Sequence, residues 1–220
     1  MHVPTLLRKC AFSFTGVIAL SDHVRNFAYR WAWSHLGKLP RGSLVCDIGS
    51  RDSLFPAFLA WQGYTVTVVE KDQRFIETLS SISRRWSAPY DLKTQDFLTS
   101  AFTVRVNAVL SLFSLQHAGE QDIPAYRKAA GLLRQCGLFL SVCEYDHRQT
   151  RMQHDRDDGA MRIYGPRDIE DRIEKPLIEG GVEIMEKRFA GWNKAAKRLH
   201  WKNPADTAGF CFLCGKKNRD

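Results

Sequence analysis

Apolar runs with two alternating periods fill the middle of the chain and limit its fold more than any other feature. The runs typical of buried strands are residues 43–48, 65–70, 91–94, 107–113 and 138–142. Segments with helical spacing lie between them, at residues 54–61, 73–86 and 123–136. Because repeated strand–helix–strand units build right-handed crossovers, this order predicts an α/β fold with a doubly wound, mostly parallel sheet and helices on both faces.

The segments that flank this region extend the predicted architecture. Residues 182–189 and 209–216 have strand patterns and are separated by a short segment, so we expect them to pair antiparallel at the sheet edge. The predicted sheet then has seven strands. Residues 21–36 predict an amphipathic helix that is capped by Ser21 or Asp22 and forms an N-terminal extension.

Between the fifth strand and the terminal strand pair, the periodic pattern is lost. Residues 144–164 are polar and rich in His, Asp and Arg, and they predict a long loop, a type of segment that is usually functional or disordered. Helical spacing returns at residues 166–179. A chain of this length fits one domain, so we expect a helical segment at 1–40 that packs on a single α/β domain at 41–220.

The net charge of +8 (32 − 24) is concentrated near the C-terminus. Residues 187–220 carry nine Lys or Arg against two Asp, so they hold +7 and residues 1–186 hold only +1. Within this segment, three cations lie between Trp192 and Trp201. The pattern suits an anionic partner such as lipid headgroups, nucleotide sugars or nucleic acid. The alternative is a charged connection whose tryptophans pack on the sheet.

The six cysteines do not have the spacing of a disulfide framework. Cys211 and Cys214 form the only C-x-x-C, and on a strand that spacing points the two sulfurs to opposite faces. Structural cysteines in a reducing compartment are favoured, so we predict a cytoplasmic protein. Residues 10–20 are apolar but are interrupted by Ser13 and Thr15, which argues against a signal peptide. We expect this segment to pack on the domain, with a peripheral membrane contact as the alternative.

Acidic residues follow three successive predicted strands. Asp47-Ile48-Gly49 ends the first strand, Glu70 ends the second, and Asp96-Phe97 follows the third. Ligands of doubly wound sheets bind at the carboxyl ends of the strands, where a glycine lets a ligand approach the backbone and a carboxylate can accept hydrogen bonds from ribose hydroxyls. Each acid alone could be a helix cap or a solvated strand end, but their joint placement indicates a nucleotide-like cofactor.

This order of residues resembles that of the Rossmann-like S-adenosylmethionine-dependent methyltransferases, over roughly residues 40–216. In that family the first loop holds the amino-acid part of the cofactor, the second-strand acid holds the ribose, the third-strand acid contacts the adenine amine, and the end of the fourth strand lines the methionine side. The cofactor implied by the resemblance is S-adenosyl-L-methionine. The cofactor-binding residues implied by it are Asp47, Gly49, Ser50, Arg51, Glu70, Lys71, Asp96, Phe97, Ser111 and Phe113.

The first loop departs from the family pattern of acid-x-Gly-x-Gly-x-Gly. Arg51 and Ser53 stand where the later two glycines would be. Arg51 has two alternative roles: it pairs with the cofactor carboxylate, or it pairs with Asp52 or the acceptor.

Candidate catalytic bases follow the fourth and fifth strands. His117 and His147 are placed to take a proton from an acceptor, and histidine suits neutral pH. A loop or capping role is the alternative for His117. The polar segment also holds four residues that could form an oxygen-rich cation site, but their spacing is not that of a known ligand set, so we predict a solvated loop and no metal. Those residues are His154, Asp155, Asp157 and Asp158.

The sequence therefore predicts a methyltransferase that O-methylates a small-molecule or glycan acceptor, which is anionic if it uses the basic segment. Residues 144–164 would form a lid. Nucleic acid is a less expected partner, because residues 111–114 read Ser-Leu-Phe-Ser where enzymes that methylate base amines have Asn/Asp-Pro-Pro-Tyr. The alternatives are an RNA methyltransferase that uses the basic C-terminal segment and a non-catalytic cofactor-binding scaffold. A nicotinamide-dependent oxidoreductase is disfavoured, because Gly-x-Gly-x-x-Gly is absent.

Overall fold

Alternating strands and helices form a mixed α/β structure with a large, mostly parallel sheet flanked by helices, as the sequence predicts. The computed structural model describes residues 23–155, 159–193, 198–203, 205 and 208–218. The chain divides into two compact units, Met1–Ala101 and Phe102–Asp220. The sheet has eight strands, of which three belong to the first unit and five to the second. In the described part of the chain, no helix is long and apolar enough to span a bilayer.

In the first unit, three parallel strands lie in the order β3-β2-β1. The strands are β1 (Leu44–Ile48), β2 (Thr65–Val69) and β3 (Asp91–Lys93), and the helices are α1 (His23–Leu36), α2 (Phe55–Trp61) and α3 (Gln73–Trp86). Thr65 aligns with Leu44 and Asp91 with Thr67, so the three strands end near one edge. Asp72 caps α3, since its side chain accepts a hydrogen bond from the N–H of Arg74.

In the second unit, the strand order is β4-β5-β10-β8-β9. β4 and β5 are parallel, whereas β10 pairs antiparallel with both β5 and β8, which confirms the predicted antiparallel terminal pair. The five strands are β4 (Val106–Leu112), β5 (Leu133–Asp146), β8 (Val182–Asn193), β9 (Arg198–Lys202) and β10 (Ala208–Lys217). The helical elements are two 3₁₀ turns (Leu115–His117 and Gly119–Gln121), α4 (Asp122–Leu132), α5 (Pro166–Asp168), a π-helical stretch (Ile169–Glu174) and α6 (Lys175–Glu179).

Three predictions about the elements are wrong in detail. The sheet has eight strands, because residues 198–202, expected in a connection, pair with β8 as β9. The predicted helix at 123–136 ends at Leu132, since Leu133 turns to an extended conformation and aligns with Val106 of β4. The predicted loop at 144–164 contains a hairpin of β6 (Arg151–Asp155) and β7 (Gly159–Ile163), which forms a separate two-stranded sheet.

Two expectations fall on residues outside the described ranges. The predicted N-terminal helix is present from His23, but its proposed caps, Ser21 and Asp22, are not described. The apolar run at 10–20 is not described either. The division into a helical segment at 1–40 and a domain at 41–220 stays a prediction.

Candidate functional site

Asp47 is a buried carboxyl near the end of β1. It is 4% exposed, and it aligns with Val68 on β2. Burial, with a smaller contribution from the nearby Glu70, raises the pKa of Asp47 to about 7 against the lowering effect of Ser50. Asp47 therefore changes its protonation near neutral pH, unlike an ordinary aspartate.

The turn after β1 places two residues in the left-handed region. Gly49 has φ 65° and Arg51 has φ 54°, although Arg51 carries a side chain. The guanidinium of Arg51 lies over the ring of Phe75, 4.7 Å from its centroid, and the Arg51 N–H donates to Oε2 of Glu70 at 3.0 Å. These contacts hold a conformation that is unfavourable for a residue other than glycine.

The two departures from the glycine pattern have structural consequences in this loop. Ser53 is buried, and its Oγ accepts from the N–H of Phe55 at 2.9 Å and shares a hydrogen bond with the Tyr29 hydroxyl at 2.7 Å. A glycine could make neither bond. Asp52, the partner proposed for Arg51, forms an ion pair with Arg25 at 2.6 Å. Hydrogen bonding and charge from Arg25, with a smaller effect of Arg51, outweigh the opposing effect of burial and lower the pKa of Asp52.

Glu70 and Asp96 are brought together through Lys71. The buried Glu70 carboxylate accepts at Oε1 from the N–H groups of Lys71 and Asp72, at 2.9 and 3.1 Å. The Lys71 ammonium donates to Oδ2 of Asp96 at 3.1 Å, and Oδ1 of Asp96 accepts from the Leu98 N–H at 2.8 Å. Phe97, beside Asp96, is buried. The acids that end β2 and follow β3 are thus connected through Lys71 in the first unit.

In the second unit, the predicted cofactor residues lie where β4 ends. The buried Ser111 Oγ lies 3.1 Å from Ser114 Oγ and accepts from the Leu115 N–H at 3.2 Å, which fixes the start of the following 3₁₀ turn. Phe113 has φ 65°, and its ring meets that of Phe210 edge-on, with centroids 5.6 Å apart. The chain therefore bends sharply at Phe113.

The candidate bases His117 and His147 lie in or beside two segments that hydrogen bonds of Gln116 connect. His117 ends the 3₁₀ turn and is half-buried, and His147 directly follows β5 and is also half-buried. Between the two segments, the buried Gln116 accepts from the Glu144 N–H at 2.9 Å and donates to the Met161 sulfur at 2.8 Å. Gln116 therefore connects the turn that carries His117 to β5 and to the β6–β7 hairpin.

A buried ion network next to this turn was missed by the sequence analysis. Arg172 binds both oxygens of Asp122, at 2.6 and 2.9 Å, and the Tyr164 hydroxyl donates to Asp122 at 3.1 Å. Asp122 is fully buried. Arg162 adds an ion pair to Asp122 at 3.5 Å and a hydrogen bond to Glu120. The sequence places these residues up to 52 positions apart, so no local pattern could have joined them.

The described residues contain no group of three His, Cys, Asp or Glu side chains placed to hold a metal ion. The oxygen-rich cation site considered at His154, Asp155, Asp157 and Asp158 lies partly outside these residues, since Asp157 and Asp158 are not described. Cys143 and Cys211 align on β5 and β10, and both are buried. A hydrogen bond with Cys211, together with burial, raises the pKa of the Cys143 thiol, so this cysteine is kept as an unreactive thiol.

No family model and no curated protein matches the chain. Solved structures do match. A 1,6-didemethyltoxoflavin-N1-methyltransferase from Burkholderia thailandensis, with bound 1,6-didemethyltoxoflavin and S-adenosylhomocysteine, aligns with a TM-score of 0.69 at 15% identity, over 97% of this chain and 88% of that one. A S-adenosylmethionine-dependent methyltransferase from Clostridium acetobutylicum aligns with a TM-score of 0.66 at 12% identity, over 97% and 98%.

The chain has the fold of the S-adenosylmethionine-dependent methyltransferases. The [4+2]-cyclase SpnF shares this methyltransferase fold, with a TM-score of 0.68 at 14% identity over 100% of this chain and 98% of that one. Identities of 12–15% concern the fold, so the activity has to be argued from the side chains of this protein.

Proposed function

We propose that this protein is a S-adenosylmethionine-dependent methyltransferase that O-methylates a small-molecule or glycan acceptor. The observation that carries the proposal is the Glu70–Lys71–Asp96 cluster, which gathers two carboxylates at successive strand ends of a methyltransferase fold. A small-molecule acceptor agrees with the ligand of the toxoflavin enzyme, which is 1,6-didemethyltoxoflavin.

The side chains of the first unit fit the polar groups of the cofactor. Oδ2 of Asp96 accepts from the exposed Lys71 ammonium, a type of surface ion pair that a ligand N–H can replace at little cost. Glu70 accepts three backbone N–H bonds of about four that a carboxylate can take, which leaves room for one hydroxyl donor. Gly49 leaves the backbone after β1 open to approach.

The division of labour in the reaction follows from these positions. When bound, S-adenosylmethionine supplies an electrophilic methyl carbon. Within the first unit, Glu70 and Asp96 would orient its ribose and adenine. The roles of Ser111 and Phe113 on the methionine side stay predictions of the family resemblance. His117 or His147 takes the proton of the acceptor hydroxyl, and the rate arises mainly from positioning and from exclusion of water. The β6–β7 hairpin stands where a lid was expected, and Gln116 couples it to His117.

Binding of S-adenosylhomocysteine, measured by calorimetry, tests the cofactor assignment. Asp96→Ala and Glu70→Ala should each weaken binding by roughly tenfold or more, as expected for the loss of a charge-assisted hydrogen bond. Glu77→Ala is the matched control, because Glu77 is an exposed glutamate on the adjoining α3. Absence of S-adenosylhomocysteine binding, or equal binding by all three variants and the wild type, would contradict the proposal.

The acceptor class is tested by following labelled methyl groups from S-adenosylmethionine into a cell extract. We expect label in the small-molecule or glycan fraction, and His117→Asn or His147→Asn should lower the rate of methyl transfer. Label in the RNA fraction would favour an RNA methyltransferase. Cofactor binding without any methyl transfer would favour a non-catalytic scaffold or a different reaction. A different reaction is a concrete alternative, because a [4+2]-cyclase has the same fold.

Two further expectations belong to this proposal. We place the protein in the cytoplasm, because the spacing of its cysteines is not that of a disulfide framework. We also retain the helical segment at 1–40 and the catalytic domain at 41–220 as a proposal about the organisation of the chain.

A further inference from the structure

The β8–β9 hairpin places both of its tryptophans on one face and two exposed cations on the other. Directly opposed residues of an antiparallel pair share a face, and successive pairs alternate between faces. Ala190 is opposite Trp201 and Trp192 is opposite Leu199, so both tryptophans lie on one face. The other face holds the cationic members of the remaining pairs, which are Phe189–Lys202, Gly191–His200 and Asn193–Arg198.

The aromatic face is both exposed and firmly anchored. Trp192 is 37% exposed and Trp201 is 40% exposed, whereas their opposed neighbours Leu199 and Ala190 are buried. The Trp201 ring meets Phe212 of β10 edge-on at 5.0 Å, and the Arg188 guanidinium lies over it at 5.1 Å. Because β9 is the last strand in the sheet order, this face lies at the edge of the sheet.

The hairpin is strongly cationic. Residues 187–202 contain six Lys or Arg and no Asp or Glu. Acids outside this stretch pair with two of the six, since Lys187 lies 2.6 Å from Glu174 and Arg188 lies 3.3 Å from Glu186. Arg198 and Lys202 are exposed. The exposed charges of Arg198 and Lys202 therefore favour an anionic partner.

Gly191 allows the cationic face to form. A Cβ at this position would lie 2.8 Å from Cδ and 3.1 Å from Cε of Lys202, so the lysine stem lies flat across the glycine. The aliphatic part of the Lys202 side chain reaches from β9 across Gly191 of β8, and its ammonium lies on the cationic face. Any larger residue at 191 would displace Lys202.

We propose that the β8–β9 hairpin docks the protein on an anionic lipid surface. Indole rings partition to the boundary between headgroups and acyl chains, and each basic residue near such a surface adds attraction to anionic lipids. A hairpin with rings on one face and cations on the other matches this layered environment. A nucleic-acid platform needs open ring faces beside cations, whereas Arg188 already covers one face of Trp201. This docking is independent of the proposed reaction.

Flotation with unilamellar vesicles tests the surface. The full chain should bind vesicles of phosphatidylcholine mixed with phosphatidylserine and bind phosphatidylcholine alone much more weakly. Arg198→Gln with Lys202→Gln should weaken binding to the anionic vesicles by roughly fivefold for each cation removed. The matched control is Lys175→Gln with Arg148→Gln, two exposed cations of the same unit outside the hairpin, which should leave binding within about twofold of the wild type.

Quenching by brominated lipid tests which rings enter the interface. Tryptophan fluorescence should be quenched on binding, and Trp192→Phe with Trp201→Phe should remove most of this quenching while binding remains, since phenylalanine keeps an apolar ring. Trp61→Phe is the control, because Trp61 is 43% exposed but belongs to the first unit. These conservative changes also avoid the loss of folding that alanine at Trp201 could cause by leaving Phe212 uncovered.

Three results would overturn the proposal. Equal binding to both vesicle types would remove the electrostatic argument. Quenching that persists in the Trp192/Trp201 variant and disappears in the Trp61 variant would place the contact elsewhere. Salt-sensitive binding to single-stranded RNA by a protein that does not float with either vesicle would assign the hairpin to nucleic acid instead.

Discussion

At the scale of single residues, Asp47 lies in an environment that is unusual for an aspartate. It belongs to the first unit, which we propose binds the cofactor. Its carboxyl is buried beside Glu70, and its pKa rises to about 7. Arg51, four residues later, adopts a left-handed conformation and bonds the same Glu70. Strained and shifted residues of this kind cluster at functional sites, because the surrounding structure has to hold them in place.

The shifted pKa of Asp47 predicts how stability depends on pH. Between about pH 4 and pH 7 the native state holds a proton that the unfolded state has released, so the free energy of unfolding should fall as pH rises, by at most about 1.4 kcal/mol per unit, and level off above about 7. Asp47→Asn should flatten this decline. Urea unfolding at a series of pH values measures it, with the exposed Asp91→Asn as control. An unchanged slope in the Asp47 variant would show that this carboxyl does not titrate there.

At the scale of elements, two glycines occupy opposite environments. Gly209 lies where two strands approach closely, and Gly131 lies on an open helix surface. At Gly209, a Cβ would run into the carbonyl oxygen of Ala190 on β8 and would lie 3.1 Å from the Gly191 Cα. At Gly131, on the exposed side of α4, a Cβ would meet nothing within 4 Å. The same substitution therefore tests packing at one site and backbone entropy at the other.

We expect Gly131→Ala to stabilise the protein by about 0.5–1 kcal/mol, because alanine is the better helix former. Gly209→Ala should destabilise it by about 1–3 kcal/mol, since β8 and β10 must move apart. Both values are measured as free energies of unfolding in urea. A stabilised Gly209 variant would mean that β8 and β10 do not approach as closely as described.

The Asp122 network is the second feature at this scale, and it connects α4 to β7 and the π-helical stretch. Arg172→Met should cost about 3 kcal/mol or more, because it removes a bidentate partner from a fully buried carboxylate. Arg127→Met, which breaks an exposed ion pair with Glu179, should cost less than about 1 kcal/mol.

The coupling between the two partners can be measured with Asp122→Leu combined with Arg172→Met. The double variant should lose less stability than the sum of the single variants, since no unpaired charge is left between these two positions. Additive losses would show that Asp122 and Arg172 act independently.

At the scale of the whole molecule, a ligand that binds only the native state should raise the unfolding temperature. At a free S-adenosylhomocysteine concentration about 100-fold above its dissociation constant, we expect a gain of about 2.7 kcal/mol, or roughly 5–10 °C for a chain of this length. Asp96→Ala should reduce the shift at the same ligand concentration. Differential scanning calorimetry measures it, and a comparable shift with NAD in place of S-adenosylhomocysteine would point to a different cofactor.

The sequence by itself determined the order of elements and the chemistry of the strand ends. Short buried runs rich in β-branched residues favour strands of a covered sheet, and the acids that follow such runs then lie at the strand ends. Glu70 and Asp96 could be placed at successive strand ends for this reason, and in the structure Lys71 connects them. The basic, tryptophan-containing segment was also evident, but not its form as a strand pair.

Only the tertiary structure decided the contacts between distant parts of the chain. The sequence predicts a connection at β9 and a loop at the β6–β7 hairpin, because the side chains there are largely polar. Their pairing depends on partner strands and not on a local period. The pairing of Asp122 with Arg172, the raised pKa of Asp47 and the two faces of the β8–β9 hairpin follow from burial and register. These are properties of spatial neighbours, which a single sequence does not encode in any local pattern.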